Sequence, residues 1–338
     1  MRRFTIAGLL ALVLLLAGFA VPADATSVKP MLRGLLDRKG MPASTYFDEL
    51  DGFVVKVDWT DLQPDAFGPL AADNAIDQAL AAVRTTPGAS QLQLKLRVLG
   101  GVSAPDWAKH LGGDPVNVYR GAHVFTMGRF WTADYGDAYA DLQQKLAARY
   151  DGAPEVAETV MSRCTIMTAE PFLRADRADT RTRDALLAAG FTVKADTQCL
   201  HQQTAAHRVW KRTRSALSAD PYDSLAPDGT YTTDVDFTRK QMQYCRKKLG
   251  ARCVLENDSV SSPLLPEPYP TLYGYIEDLG APIAYQTRNA QRIGDAMAAL
   301  NWAADHGANH VELNTDYPNY DLDQLRAVRQ RLRANPTG

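Results

Sequence analysis

The chain of 338 residues has no surplus of either charge, with a formal net charge of −2. That removes the electrostatic case for a nucleic-acid or membrane-surface partner. Cysteine is scarce, at four residues, and none forms a Cys-x-x-Cys pair. A zinc ribbon or thioredoxin-like redox motif is therefore not expected. Six histidines are scattered without ligand spacing, and there is no His-Glu-x-x-His, no Gly-x-Ser-x-Gly and no Gly-x-x-x-x-Gly-Lys-Ser/Thr. The zinc-protease, serine-hydrolase and P-loop readings lose their main signals. No metal or cofactor is expected. After the first residues, no run reaches the roughly 18 apolar residues of a membrane span.

The N-terminus does carry one apolar run. Arg2 and Arg3 precede Ile6 to Phe19, which is too short for a span, and Ala23-Asp24-Ala25 fits a small-x-small cleavage site. Residues 1–25 read as a signal peptide, with 26–338 as the exported domain. The mature protein is expected to be secreted, monomeric and free of the membrane. In an oxidising compartment Cys164, Cys199, Cys245 and Cys253 suggest two disulfides. Several pairings are open; Cys164–Cys199 and Cys245–Cys253 are preferred, because each joins a strand to an adjacent helix.

The remaining chain alternates strand-like and helix-like runs, which argues for a parallel sheet with crossover helices. Strands are expected near 30–35, 53–57, 92–98, 160–168, 214–219, 252–255, 282–285 and 310–314. Helices are expected near 75–83, 135–150, 184–189, 197–210, 237–249, 272–279, 293–306 and 322–332. Eight strand–helix pairs predict a single (β/α)8 barrel. An open doubly wound sheet should show a Gly-rich loop after its first strand, which Arg33-Gly34-Leu35 does not supply. The third strand alternates strictly. Leu92, Leu94, Leu96 and Val98 should face the helices, and Gln93, Lys95 and Arg97 the lumen. Buried cations need anionic partners.

Three glutamates are available. Glu170 precedes Pro171, where the fourth expected strand stops; its alternative role is an ion pair with Arg163 or Arg174. Glu256 opens a Glu256-Asn257-Asp258 cluster after the sixth strand. Glu312 shares strand parity with His310 and Asn314. Active sites of such barrels gather at the C-terminal ends of the strands. Paired carboxyls there suit cleavage of a glycosidic bond. Beside Asp58, a further expected binding residue, Trp59, Trp107, Trp131 and Tyr285, with Tyr222 and Tyr317, could form a sugar-stacking rim, although packing in the core is the commoner fate of such rings. Arg97, Asn257, Asp258, Gln286 and Glu312 complete the expected carbohydrate-binding set.

Three segments carry a resemblance. Phe53-Val54-Val55-Lys56-Val57-Asp58-Trp59 to Pro64, Leu96-Arg97-Val98-Leu99-Gly100-Gly101 through Trp107, and Ala169-Glu170-Pro171 are similar to the second, third and fourth strands of beta-galactosidase-like clan A glycoside hydrolases. The whole resembles a family of secreted actinobacterial (β/α)8 barrels. The resemblance implies a retaining glycosidase with Glu170 as acid/base on the fourth strand. Two departures stand out. Ala169 replaces the Asn before that Glu, and the seventh strand, where the clan's nucleophile sits, ends in Gln286. Glu256 is then the expected nucleophile. The same departures fit a carbohydrate-binding pseudo-glycosidase. An aldolase would need a Schiff-base lysine, for which Lys95 is the lumen candidate.

Overall fold

The computed structural model describes residues 27–338, so the expected signal segment 1–25 lies outside them. Eight strands, β1 (Gly34–Asp37), β2 (Gly52–Asp58), β3 (Gln93–Leu99), β4 (Val156–Val160), β5 (Arg214–Ser218), β6 (Cys253–Val260), β7 (Ile283–Thr287) and β8 (His310–Leu313), pair in parallel. They close into a barrel in sequence order, with β8 returning to β1. The (β/α)8 expectation is borne out. Helices Ala75–Thr85, Ala133–Tyr150, Val193–Ala206, Val235–Leu249, Tyr269–Leu279, Ala296–Asp305 and Leu322–Ala334 cover the outside. After β1 the connection holds only a 3-10 turn, Ser44–Tyr46. Two antiparallel hairpins, Val116–Arg120 with His123–Met127 and Tyr222–Leu225 with Tyr231–Asp234, extend the loops after β3 and β5.

Local chemistry starts several of these helices. Asn74 accepts from the amides of Ile76 and Asp77 while Asp77 returns a bond to the Asn74 amide, a reciprocal cap. Asp234, Asp295 and Asp321 cap three further helices through their carboxylates.

Strand alternation sorts the core. Phe53, Val55, Val57, Leu94, Leu96, Val98, Leu255, Ile283 and Val311 pack outward against the helices. The opposite parity fills the lumen, with small apolar groups (Val160, Ala216, Val254, Ala284) beside Leu99. Both expected disulfides are present, Cys164–Cys199 and Cys245–Cys253, each with a Cα–Cα distance of 5.9 Å. Among the described residues no helix is long and apolar enough to cross a membrane.

Three strands differ from expectation. The first runs 34–37, not 30–35. The fourth runs 156–160, not 160–168. Beyond Val160 the backbone finds other partners. The Arg163 amide donates to Gln203 Oε1 at 2.7 Å, Val102 N donates to Ile166 O, and the disulfide anchors Cys164 to the helix at Cys199. With these groups satisfied outside the sheet, no ladder can continue. Glu170 therefore sits on the long loop after β4 and not at a strand end. The sixth strand runs on to Val260, with an irregularity after Asn257, so Glu256 lies inside it.

Candidate active site

Strand β3 builds the lumen. Lys95 Nζ lies 3.0 Å from Glu158 Oε1, 2.5 Å from Glu256 Oε1 and 2.8 Å from Glu312 Oε1, with all four side chains closed to solvent. One layer higher, Arg97 donates to Glu312 Oε1 at 2.7 Å and to Gln286 Oε1 at 3.1 Å. His310 Nε2 stands 3.5 Å from both Lys95 Nζ and Glu158 Oε1. The expectation that lumen cations recruit acids holds for Glu256 and Glu312. Glu170 is not among their partners, and Glu158 takes its place.

Three carboxyls around two cations leave a surplus of negative charge, and the carboxyls divide accordingly. Burial would raise Glu158, but Lys95 and His310 overcome it and bring it down to about 2. Burial is likewise outweighed at Glu312 by Arg97 and Lys95, which hold it well below the usual range. At Glu256, burial together with the Glu312 and Glu158 charges prevails over Lys95 and Arg97, and the carboxyl is pushed up. Lys95 stays a firmly charged ammonium, because its three acids outweigh burial. Such a lysine is a poor Schiff-base nucleophile.

Above this layer, at the C-terminal mouth, lies a cavity of about 300 Å³. Arg38 and Lys39 enter from the loop after β1, Lys56 from β2, Arg97 from β3, Glu170 from the loop after β4, Asp258 from β6 and Gln286 from β7. Burial, reinforced by the Glu256 and Glu170 charges, raises the Asp258 carboxyl well above its ordinary range. Its Oδ1 is enclosed without a hydrogen-bond partner in the protein, and so is Glu170 Oε2. Glu170 also borders a second cavity of about 190 Å³, shared with Phe130, Arg174 and Asp196. Arg174 Nη2 stands 3.6 Å from Glu170 Oε2, and its Nη1 is 3.2 Å from Asp220 Oδ2. Burial pushes Asp220 up to about 6, although Arg174 opposes it.

The structure thus brings Glu170, Arg97, Asp258 and Gln286 onto one cavity wall. Glu256 and Glu312 are not on that wall; they form its underside, closed from solvent. This corrects the expected pairing of Glu170 with Glu256 across an open hollow. Strand parity carries both Glu256 and Asp258 inward, and the longer β6 leaves Asp258 as the one nearer the mouth.

The aromatic rim is also corrected. Trp59 is fully buried, donates to Gln63 Oε1, and meets Trp107, Tyr135 and Tyr139 edge-on. Trp107 is half-buried against Phe67 and donates to Gln63 O. Trp131 packs edge-on against Phe130 and Phe191. Tyr285 has outward parity and packs on Tyr273 and Trp302. Tyr222 is buried against Phe237, and Tyr317 donates to Asp37. Burial of ring area outside the barrel claims these side chains. Asn257 donates to Ala219 O and Asp220 Oδ1 and accepts from Tyr273, tying β6 to the loop after β5. Asp58 lines a neighbouring surface hollow with Asp61, Asp73 and Lys56, which borders both hollows.

Sequence reasoning missed Glu158, Arg38, Lys39 and Lys56, whereas the ion pair of Glu170 with Arg174 was one of its two expected alternatives. Glu158, an acid inside the apolar run Val156–Val160, was a readable signal once the strand is placed there. Arg38 and Lys39 sit on a loop, where period gives no cue, while Lys56 lies within β2 on the parity that faces Arg97's side of the sheet.

No family model matches the chain, and no curated protein matches it. Among solved structures it is similar to endo-glycoceramidase II from Rhodococcus sp. in a cellobiose-like imidazole complex. That pair has 14% identity and a TM-score of 0.51, with 89% of this chain and 81% of the other covered. It is similar to the catalytic domain of beta-amylase from Paenibacillus polymyxa at 10% identity and a TM-score of 0.53, with 93% and 100% covered. It is also similar to XacCel5A at 13% identity and a TM-score of 0.51, with 90% and 98% covered. The likeness is one of fold: the chain has the barrel that a resemblance to clan A glycoside hydrolases implies.

Proposed function

We propose that the protein is a secreted, monomeric glycoside hydrolase that cleaves an oligo- or polysaccharide at the barrel mouth with retention of configuration. The observation that carries this reading is the pair of carboxyl groups, Glu170 and Asp258, on the wall of one cavity at the C-terminal ends of the strands. Proteins of the same fold named for glycan cleavage support the reaction class, and two disulfides support export.

The roles follow from chemistry. Burial and two neighbouring acids disfavour the Asp258 anion, so this side chain holds its proton to higher pH than an ordinary carboxyl. It is suited to protonate the glycosidic oxygen as the bond breaks. Glu170, beside Arg174, attacks the anomeric carbon and holds the glycosyl group as an ester. The Asp258 carboxylate left behind takes a proton from water, and that water releases the sugar. This reverses the role the resemblance implies for Glu170 and moves the second carboxyl from Glu256 to Asp258. Glu256 then lies beneath, and its carboxyl adds to the upward push on Asp258.

The test is a panel of aryl glycosides with Glu170→Gln and Asp258→Asn. Each substitution should lower kcat/KM by about 10²–10⁴-fold. Undiminished turnover in both would end the proposal, and NMR of the first-formed anomer reads the stereochemistry.

One observation favours a second reading. Gln286, an amide that cannot act as a nucleophile, stands where the resemblance expects a carboxylate and is bonded to Arg97. On that reading the cavity binds glycan without cutting it. Saturable binding with no product over long incubation would select it.

A further inference from the structure

The mouth cavity holds more positive charge than its own acids account for. Arg97 is committed to Glu312 and Gln286. Arg38, Lys39 and Lys56 are not so committed. Arg38 Nη1 donates to a carbonyl, Thr287 O, at 2.9 Å. Among the described residues, none of these three forms an ion pair with a carboxylate, whereas Arg84, Lys145, Arg149, Arg174 and Arg326 all do. They come from adjoining staves, β1 and β2, so they form one side of the cavity, facing Glu170 and Asp258 on the loop after β4 and on β6.

Energetics make this arrangement informative. Arg38 is partly buried, and burial pulls its guanidinium below the ordinary value, while Glu312 and Asp258 only partly restore it and Arg97 opposes them. A half-buried cation without its own anion costs stability unless something else supplies the charge. The chain as a whole is slightly negative, so the local excess is not a spill-over from general basicity. Lys39 and Lys56 are exposed, so the cost falls on Arg38, and the hydroxyls of a neutral sugar do not compensate its charge. An anionic oxygen pair suits both the fork of Arg38 and the point charges of Lys39 and Lys56.

We infer that the saccharide taken at the barrel mouth is acidic, carrying a carboxylate or sulfate-ester group that seats against Arg38, Lys39 and Lys56 while its glycosidic bond lies toward Glu170 and Asp258. The inference rests on the proposed glycoside hydrolysis only for the position of the scissile bond; the anion subsite stands on the cations. It also gives the carboxyl pair and the basic side separate tasks, orientation on β1 and β2 and bond cleavage on the loop after β4 and on β6.

Calorimetry on the purified full chain, with trigalacturonate, a sulfated galactan oligosaccharide and cellotriose as probes, tests it. At about 0.01 M salt at least one acidic probe should bind about tenfold or more tighter than cellotriose, and the advantage should shrink at about 1 M. Which acidic probe wins identifies the anion. Lys56→Gln, an exposed substitution that leaves the lumen intact, and Arg38→Gln should each weaken the acidic probe several-fold and leave cellotriose unchanged. Cellotriose binding as well as either acidic probe, or indifference of the acidic probes to both substitutions, overturns the inference. The two proposals fail separately. Acidic probes bound through Lys56 and Arg38 but never cleaved would sink hydrolysis and keep the subsite. Glu170-dependent cleavage of neutral sugars without cation dependence would do the reverse.

Discussion

Lys95 and Glu256 meet inside the barrel at 2.5 Å, and neither side chain is exposed to solvent. The contact joins a strand of the first half of the barrel to one of the second. Around it gather Glu158, Glu312 and His310, so the lumen is polar where a purely structural barrel would be filled by branched apolar groups. A charge layer of this kind is stable only while its members remain paired.

Lys95→Met should therefore be strongly destabilising, by about 3–5 kcal/mol, because it strands buried carboxyls without their common cation. Glu158 and Glu312 are depressed, so the stability they contribute is present above the unfolded carboxylate value and is lost as pH falls toward about 2. The wild-type advantage over Lys95→Met should thus be greatest near neutrality and narrow on acidification. Denaturant unfolding at several pH values measures it, and a gap that widens in acid would contradict the assignment.

Asp258→Asn should abolish the alkaline limb of the pH–rate profile. Asp258 is raised well above its ordinary value, so it holds its proton to higher pH than an ordinary carboxyl, and its loss shapes the high-pH limb. Substrates whose leaving group needs no protonation should be far less affected. Steady-state kinetics with good and poor aryl leaving groups make the comparison; equal losses on both would remove Asp258 from the acid role.

Asp196 supplies a stability test in the cavity beside Glu170. It is buried, accepts from Tyr222 Oη at 2.9 Å, and burial pushes it up to about 7 despite that bond. The folded state then holds a proton that the unfolded state has lost, so this group's contribution falls as pH rises from about 4 to 7. Relative to Asp196→Asn, wild-type stability should decline at up to about 1.4 kcal/mol per pH unit in that window. Parallel pH profiles of the two proteins would rule this out.

Trp59→Ala should cost about 3–5 kcal/mol through the cavity it leaves beneath Trp107, Tyr135 and Tyr139. Trp59→Phe should retain glycan binding, since the ring lies outside the barrel in the core. Loss of binding in Trp59→Phe, with the fold intact by circular dichroism, would return Trp59 to the sugar-binding set.

Barrel class, strand count and the inward aim of Lys95, Arg97 and Glu312 were legible in the chain, because strand period assigns each residue a face; Glu256, Asp258 and Gln286 were read only as lying at strand ends. So were the two disulfides. The fourth strand was misplaced by a β-rich run, 161–168, whose polar groups are claimed by the loops after β3 and by Gln203. That single shift hid Glu158 and put Glu170 at a strand end it does not occupy. The aromatic residues were misread as a rim for a related reason: position near a strand end says nothing of which way a ring turns.

Order along the chain, alternation along each strand and the spacing of apolar stripes belong to the sequence itself, since they depend on neighbours a few residues away. Depth is different. Whether a carboxyl stands on a cavity wall, as Asp258 does, or one layer below it, as Glu256 does, depends on how far seven other strands rise around it. Only closure of the barrel sets that height, and with it which acid keeps its proton.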